Sequence, residues 1–376
     1  MCRRRGATVY RSDVRIGIVS PYSLTLPGGV QGQVLGLAHE LRLRGHEVRV
    51  LGPCDGPPPD AGVTPLGATL PTAANGSVAP IAPDVSAQLR TIRALRDEAF
   101  EVVHLHEPLC PGPTQTAILF KTAPLVGTFH AAGGSMAYRF LKPLVVRGAR
   151  RIDVRCAVSE DAREMAHAAL GGDYELVFNG VDVDVIRKAE PHPTTGPTVL
   201  FLGRHEPRKG LGVLLEAMAH LPDEVRLWVA SDGPETAELR ARFADDDRIE
   251  WLGRVSDEDK LARLRGADVF CAPSLRGESF GIVLLEAMAA DTPVVASDLP
   301  GYANVARADR DALLVPPGDP VALAAAVRRI LADDALARDL VASGAERAAA
   351  FSMSRLAEVY EGLYRQAIDH AAGARG

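Results

Sequence analysis

The chain has 376 residues and a formal net charge of −6, with 47% hydrophobic and 24% charged residues. This length favours two or three domains, and two of about 180 residues could each bury a core. The composition leaves little room for extended disorder, and the acidic balance argues against general nucleic-acid binding. A local basic patch for a membrane surface is not excluded. Five scattered cysteines without metal-like spacing favour a reduced, cytoplasmic compartment.

The start of the chain is basic but lacks the apolar core of a signal peptide. We expect residues 1–13 to be a disordered tail, or the product of an upstream start codon. No run approaches the roughly 18 apolar residues that a membrane-spanning helix requires.

The first half alternates short apolar runs with amphipathic stretches, which is typical of βαβ units and parallel sheets. Residues 55–84, rich in Pro, Gly, Ala and Thr, predict a long irregular region with room for one short strand. Helices are predicted at 31–44, 86–99 and 159–170. The predicted strands are 14–20, 47–52, 102–106, 125–129, 154–158 and 175–178.

A second βαβ series follows a proline-containing linker at 189–196. Two doubly wound α/β domains are therefore predicted, at 14–188 and 189–354, with a last helix in 355–376. Ligands of such folds bind beyond the carboxyl ends of the strands. The predicted strands of this half are 198–203, 226–230, 250–253, 269–272, 294–296 and 313–315, and its later helices are 320–332, 335–350 and 355–370.

Two carboxylates, Glu278 and Glu286, stand at the ends of a predicted strand-to-helix transition. The apolar run 267–275 predicts a buried strand, and a helix is predicted from Phe280 onward. The free N–H groups of that helix's first turn favour an anion. One carboxylate can accept sugar hydroxyls and the other, about two turns along, can accept ribose hydroxyls. This pairing suits a nucleotide sugar.

Arg204 and Lys209 lie in a loop between a predicted strand and a helix. A guanidinium can grip two phosphate oxygens, and an ammonium there is a compact point charge. Alone, so short a motif is as often a solvated loop, but with Glu278 and Glu286 downstream it favours a site. Gly28-Gly29 follows the first strand without a Gly-x-Gly-x-x-Gly pattern, which argues against a dinucleotide-dependent oxidoreductase.

These segments resemble the motifs of retaining glycosyltransferases of family 4, which have the GT-B fold. The resemblance runs from Arg15 to Tyr364, and its nearest subgroup is the actinobacterial phosphatidylinositol α-mannosyltransferases. The segments that carry it are Ser-Pro-Tyr-Ser at 20–23, Pro-Gly-Gly-Val-Gln at 27–31, Leu-His-Glu-Pro at 105–108, Val-Gly-Thr-Phe-His at 126–130, Phe-Asn-Gly-Val-Asp at 178–182, Arg-His-Glu-Pro-Arg-Lys-Gly at 204–210 and 277–286.

The resemblance implies two Rossmann-like domains facing a central cleft, with the last helix crossing back to the first domain. It implies a metal-independent, retaining transfer of mannose from GDP-mannose to the inositol of phosphatidylinositol, without a cofactor or a nucleic-acid partner. Because no carboxylate stands out as a nucleophile, front-face attack is favoured over double displacement. The implied catalytic residues are His130, Glu278, Arg204 and Lys209. Donor binding is implied for Gly29, Arg204, Lys209, Val255, Asp257, Lys260, Glu278, Phe280, Gly281, Ile282 and Glu286.

The acceptor side of the resemblance is less complete. Pro80 stands where the lipid enzymes carry an arginine that helps to bind the acceptor phosphate. The following predicted helix carries Arg90, Arg93 and Arg96 as one stripe. That stripe can contact an anionic membrane leaflet, in which case the protein is located peripherally on the cytoplasmic face of the membrane. Alternatively, the stripe is a solvated helix face. The implied acceptor residues are Tyr22, Gln31, Asn75 and Ser77.

His104 and His106 alternate on a predicted strand and share one face, with Glu107 next to them. A zinc site is conceivable there, but no third ligand cluster is evident, so a structural role is preferred.

Three functions remain open from the sequence. The first is the inositol-lipid mannosyltransferase. The second is a family-4 transferase with a UDP-sugar or another soluble or lipid acceptor. The third is a non-catalytic module that binds a nucleotide sugar, which the intact motifs argue against. An epimerase with the GT-B fold fits Glu278 to Gly281 less well.

Overall fold

The computed structural model describes residues 13–26, 28–74, 77–130 and 142–373. Most of the predicted tail therefore lies outside the described residues. The chain forms two compact units. Unit 1 comprises Met1–Val177 and Ala357–Gly376, and unit 2 comprises Phe178–Leu356. These limits differ from the predicted ones, which are residues 189 and 355.

Unit 1 is built on a parallel sheet, in which the described strands have the order β3-β2-β1-β6-β7-β8-β9. Its helices are Gly29–Leu43, Val85–Asp97, Pro113–Leu119, Lys142–Ala149 and Glu160–Leu170. The strands of unit 1 are β1 (Arg15–Val19), β2 (Glu47–Gly52), β3 (Val63–Pro65), β4 (Leu70–Ala74), β5 (Ser77–Ile81), β6 (Val102–His106), β7 (Leu125–Phe129), β8 (Val154–Ala157) and β9 (Glu175–Leu176).

The prediction of an irregular region with at most one short strand at residues 55–84 is wrong. This region contains β3, which extends the main sheet, and the antiparallel pair β4 and β5. The dipeptide Asn75-Gly76, which follows β4 in the sequence, is a strong hairpin signal in addition to being part of the predicted acceptor site. Those two residues lie outside the described part of the chain.

Unit 2 is built on a second parallel sheet, with the described strands in the order β12-β11-β10-β13-β14-β15. Its strands are β10 (Thr198–Leu202), β11 (Arg226–Ala230), β12 (Ile249–Gly253), β13 (Val269–Ala272), β14 (Val294–Ser297) and β15 (Leu313–Val315). Its helices are Val183–Lys188, Leu211–Ala217, Thr236–Arg242, Asp257–Gly266, Ile282–Ala289, Pro300–Ala303, Pro320–Ala332 and Asp334–Ala350, with single 3₁₀ turns at Pro207–Lys209 and Met218–His220.

Helices cover both faces of the unit 2 sheet, so the side chains of its central strands are mostly buried. Successive side chains of a strand point to opposite faces. Val199 and Phe201 accordingly belong to one core cluster, while Leu200 belongs to the other. Strands buried on both faces explain why the continuous apolar runs of the sequence predicted a parallel sheet.

The last helix, Met353–Gly373, contributes to unit 1 from Ala357 onward. Tyr360, Tyr364 and Ala367 lie on one face of this helix and are buried. Glu361 accepts hydrogen bonds from Arg44 at 2.7 Å and pairs with His46 at 3.0 Å. Within the described residues, none of the helices combines the length and the apolar character needed to cross a bilayer.

Candidate active site

Two loops of unit 2 meet because their strands are neighbours in the sheet. β10 and β13 pair in parallel, with Val199 opposite Val269 and Leu200 opposite Phe270. Loops that follow parallel neighbours leave the sheet at the same edge. The segment that follows β10, residues 203–210, therefore contacts the segment that follows β13, residues 273–281, across 69 positions of sequence.

Glu278 forms the centre of this contact. Its Oε1 accepts a hydrogen bond from Lys209 Nζ at 2.7 Å and lies 3.5 Å from Arg208 Nη1. The side chain of Glu278 is only 10% exposed, so its charge is held in place by these two cations. Glu278 and Lys209, predicted from motifs far apart in the chain, are thus in direct contact.

Glu206 organises the other two cations of the site. Its Oε1 lies 3.1 Å from Arg204 Nη2, and its Oε2 lies 3.0 Å from Arg208 Nε. The carboxylate is 8% exposed, whereas the Arg204 side chain is 48% exposed. Guanidinium groups fixed in this way can receive the charge that develops on a departing diphosphate without reorganising.

Sequence reasoning missed Glu206 and Arg208, although both lie inside the motif that contains Arg204 and Lys209. The sequence feature that could have indicated Glu206 is a carboxylate between two cations in one loop. A carboxylate does not attract a phosphate group, but it can hold neighbouring cations in position.

A second ion pair joins two further residues of the predicted donor set, Lys260 and Glu286. Lys260 Nζ donates to Glu286 Oε1 at 2.9 Å. Burial alone would lower the pKa of the Lys260 ammonium, but Glu286 and then Asp257 raise it above its ordinary value, so Lys260 stays charged. Lys260 and Asp257 lie on the helix Asp257–Gly266, which Ser256 caps directly after Val255.

The helix that carries Glu286 begins at Ile282, so the predicted start at Phe280 is wrong. Gly281 precedes it with φ +100°, a left-handed conformation that favours glycine and that turns the chain into the helix. Phe280 is buried, with its ring centroid 5.8 Å from that of Phe351. Because the Phe280 side chain is buried, only the backbone of this predicted donor residue can contact a ligand.

His130 lies at the carboxyl edge of the unit 1 sheet, directly after β7. Because β6 and β7 are parallel neighbours, His130 follows β7 beside the end of β6. Its Nε2 is 2.8 Å from His106 Nδ1, and its backbone N–H donates to Glu107 Oε1 at 2.8 Å. Glu107 has φ +46°, a conformation that is rare outside glycine and is often found at functional sites. These contacts fix the position of His130 in unit 1.

His104 has a structural role in the described part of unit 1. Its Nδ1 lies 2.9 Å from Tyr364 Oη, and its Nε2 lies 2.8 Å from Thr128 Oγ1. With both nitrogens hydrogen-bonded to hydroxyls, neither is available to a metal. Among the described residues, no group of three or more His, Cys, Asp and Glu side chains is arranged to hold a metal ion.

The predicted acceptor residues also belong to unit 1. Tyr22 pairs with Ile81 through the backbone, so the loop after β1 lies against β5, the strand that begins with Ser77. Gln31 donates from Nε2 to the Leu24 carbonyl at 3.2 Å, while Gly29 is the first residue of its helix. Asn75 lies outside the described residues. The role of these residues in binding an acceptor stays a prediction.

Comparison with known proteins identifies the family. Residues 27–185 match the model of Glycosyltransferase Family 4, and residues 196–333 match that of Glycosyl transferases group 1. The phosphatidyl-myo-inositol mannosyltransferase of Mycobacterium leprae is 42% identical over 364 residues, which cover 93% of this chain and 96% of that protein. The chain belongs to glycosyltransferase family 4.

Other similarities agree with this assignment. The D-inositol 3-phosphate glycosyltransferase of Xylanimonas cellulosilytica is 30% identical over 90% of this family-4 chain and 92% of that protein. The solved structure of sucrose-phosphate synthase from Thermosynechococcus elongatus superposes with a TM-score of 0.70 at 23% identity, over 95% of this chain and 99% of the other. The predicted two-domain fold and the predicted class of enzyme, a hexosyltransferase, are confirmed.

Proposed function

We propose that this protein transfers mannose from GDP-mannose to the inositol of phosphatidylinositol, with retention of configuration and without a metal. The observation that carries the proposal is the row of charges in unit 2, in which Arg204, Arg208 and Lys209 alternate with Glu206 and Glu278. The similarity to phosphatidyl-myo-inositol mannosyltransferases over 93% of the chain supports the choice of sugar and acceptor.

The charges of this row suit a departing nucleoside diphosphate. Two carboxylates and three cations leave one net positive charge, with Arg204 the most exposed of the cations. Phosphate oxygens would be met by the cations. In this proposal Glu278 accepts hydroxyl groups of the sugar and Glu286 accepts those of the ribose.

We also propose that the enzyme acts peripherally at an anionic, cytoplasmic membrane surface. The helix Val85–Asp97 presents Val85 and Leu89 to solvent, 70% and 62% exposed. Arg93 on the same helix is 84% exposed and pairs with Asp97 at 3.2 Å. Arg90, the first arginine of the predicted stripe, instead makes a contact within unit 1, because its Nε donates to the Leu66 carbonyl at 2.7 Å. Apolar groups beside arginines suit a surface of anionic lipid.

The first experiment measures transfer directly. The purified protein is incubated with GDP-mannose and vesicles that contain phosphatidylinositol, and mannosylated lipid is detected by mass spectrometry. UDP-glucose, UDP-N-acetylglucosamine and soluble inositol phosphate are tested in parallel. Mannosylated lipid from GDP-mannose alone supports the proposal. Transfer from a UDP-sugar, or to soluble inositol phosphate alone, overturns the proposed donor or the proposed acceptor.

The variant Glu278→Gln tests the site. Loss of a hydrogen bond to a charged group is worth about 1.5–3 kcal/mol, so the transfer rate should fall roughly 10- to 100-fold while the fold is retained. Glu238→Gln, the same change on an exposed helix position of unit 2, is the matched control and should leave the rate unchanged. Full turnover in Glu278→Gln would show that the site is assigned wrongly.

Binding is measured by thermal shift with GDP, UDP and ADP. A ligand that binds the folded state alone adds about 2.7 kcal/mol of stability at a hundredfold excess over its dissociation constant. We expect a guanine-selective shift that Lys209→Ala abolishes.

A further inference from the structure

We propose that Ser274 and Tyr302 form a buried hydroxyl relay that holds one oxygen of Glu278 and so leaves the other oxygen for the donor sugar. Both residues would then be positioning residues for the transfer. This inference rests on the proposed function, and it adds two residues that neither the motifs nor the charged row contain.

The relay consists of two consecutive hydrogen bonds. Tyr302 Oη donates to Ser274 Oγ at 3.0 Å, and Ser274 Oγ donates to Glu278 Oε1 at 2.9 Å. Tyr302 and Ser274 are 1% and 2% exposed, so water does not compete for either bond. Burial, followed by the nearby Glu278 carboxylate, raises the pKa of Tyr302 above its ordinary value. The phenol therefore keeps its proton and remains a donor.

The relay fixes the orientation of the Glu278 carboxylate. Both of its hydrogen bonds, from Lys209 Nζ and Ser274 Oγ, end on Oε1, and the nearest arginine nitrogen also approaches Oε1. Within the described residues, Oε2 accepts none of the hydrogen bonds of Glu278. A carboxylate gripped at one oxygen can offer the other to a hydroxyl group in a defined direction.

The backbone supports the same arrangement. A Cβ on Gly301 would overlap the Glu278 carbonyl oxygen, so the chain just before Tyr302 packs directly on the loop that carries Glu278. Asn304 Nδ2 donates to the Ser279 carbonyl at 3.2 Å and to the Gly301 carbonyl at 3.1 Å. The short helix Pro300–Ala303 is thereby tied to the site loop at both of its ends.

A relay predicts a specific pattern of mutant rates. Tyr302→Phe removes one hydroxyl and keeps the ring, and a hydrogen bond of ordinary strength corresponds to a decrease in kcat of about 3- to 10-fold. Ser274→Ala should decrease kcat at least as much. Because Ser274 is the link, adding Tyr302→Phe to Ser274→Ala should decrease kcat no further. The affinity for the free nucleoside diphosphate, which lacks the sugar, should stay unchanged in all three variants.

The experiment is a double-mutant cycle on the full chain. It measures kcat and KM for the donor and the dissociation constant of GDP in the wild type, both single variants and the double variant. The matched control is Tyr174→Phe, a buried tyrosine of unit 1 whose Oη lies 3.4 Å from the Ala166 carbonyl. This control should keep the wild-type kcat.

The outcomes separate the relay from the proposed function. Equal kcat in Tyr302→Phe and wild type, or effects of the two single variants that multiply in the double variant, overturns the relay. A parallel loss of GDP affinity shows that Tyr302 acts only by packing, and also overturns it. If the wild type uses a UDP-sugar and not GDP-mannose, the proposed donor fails, and the same cycle with that sugar and UDP decides on the relay.

Discussion

At the scale of single residues, one buried imidazole links the stability of unit 1 to pH. Burial, with a smaller contribution from His130, lowers the pKa of His104 to about 3. Its ordinary value is 6.5, so the unfolded chain binds a proton below that pH while the folded chain does not. Stability is therefore complete above pH 6.5 and decreases as the pH falls towards 3. At pH 5 the loss from this group is on the order of 2 kcal/mol.

The variant His104→Gln tests this linkage. It keeps a hydrogen-bonding group near Thr128 Oγ1 but cannot be protonated. We expect the free energy of unfolding of the wild type to fall between pH 7 and pH 5 by about 2 kcal/mol more than that of the variant. Urea unfolding followed by far-UV circular dichroism measures the difference.

An internal control is available in the same unfolding experiments. Both tryptophans of the chain, Trp228 and Trp251, lie in unit 2, so their fluorescence reports on that unit. If the pH dependence by circular dichroism is the same in wild type and variant, His104 does not cause it.

At the scale of structural elements, the turn into the helix Ile282–Ala289 can be tested through its glycine. Gly281 has φ +100°, and a Cβ there would lie 3.0 Å from Val305 Cγ2 and 3.1 Å from Tyr302 Cδ1. An alanine would therefore be strained by its backbone and crowded by its neighbours. We expect Gly281→Ala to destabilise unit 2 by about 1–2 kcal/mol. Tryptophan fluorescence during urea unfolding measures this.

The helix Leu211–Ala217 offers the matched control. A Cβ on Gly212 would meet Leu239 Cδ2 at 3.8 Å, which is ordinary van der Waals contact. Gly212→Ala should stabilise the same unit by about 0.5–1 kcal/mol, because alanine loses less conformational entropy in a helix. Opposite signs for the two variants are the expected result, and stabilisation by Gly281→Ala would contradict the role given to this turn.

Elements with a regular pattern could be predicted from the sequence alone. β2, β6, β7, β11, β13 and β15 have their predicted bounds, because each is a short, largely buried run in which Val, Leu, Phe and Ala predominate. The hairpin of β4 and β5 could not be recognised in this way. Its strands contain Pro71 and Pro80, which are rare inside sheets and argue against a strand.

The candidate site residues Arg204, Lys209, Glu278 and Glu286 lie in motifs, so they could be singled out from the sequence, while their roles stay predictions. Ser274 and Tyr302 could not be found, since a serine after a strand and an apolar-flanked tyrosine are ordinary in sequence. Their role depends on Tyr302 Oη lying 3.0 Å from Ser274 Oγ, across 28 positions. A distance of that kind is set by the tertiary fold.

At the scale of the whole molecule, the net charge of −6 opposes binding to an anionic bilayer. The proposed membrane binding would then depend on one local face of the molecule. The helix Val85–Asp97 provides exposed apolar side chains, Val85 and Leu89, on the same element as the exposed Arg93 and Arg96. Each arginine close to such a surface contributes about 1 kcal/mol, and the attraction acts within a Debye length of about 8 Å at physiological salt.

The double variant Arg93→Gln/Arg96→Gln should therefore bind vesicles of phosphatidylinositol and phosphatidylcholine about 30-fold more weakly, as measured by co-sedimentation. Its matched control is Arg310→Gln/Arg338→Gln, which changes the net charge equally at exposed positions of unit 2. The control should bind like the wild type, and wild-type binding should weaken as salt is added. Equal weakening of both double variants would mean that net charge, and not the helix Val85–Asp97, governs the encounter with the membrane.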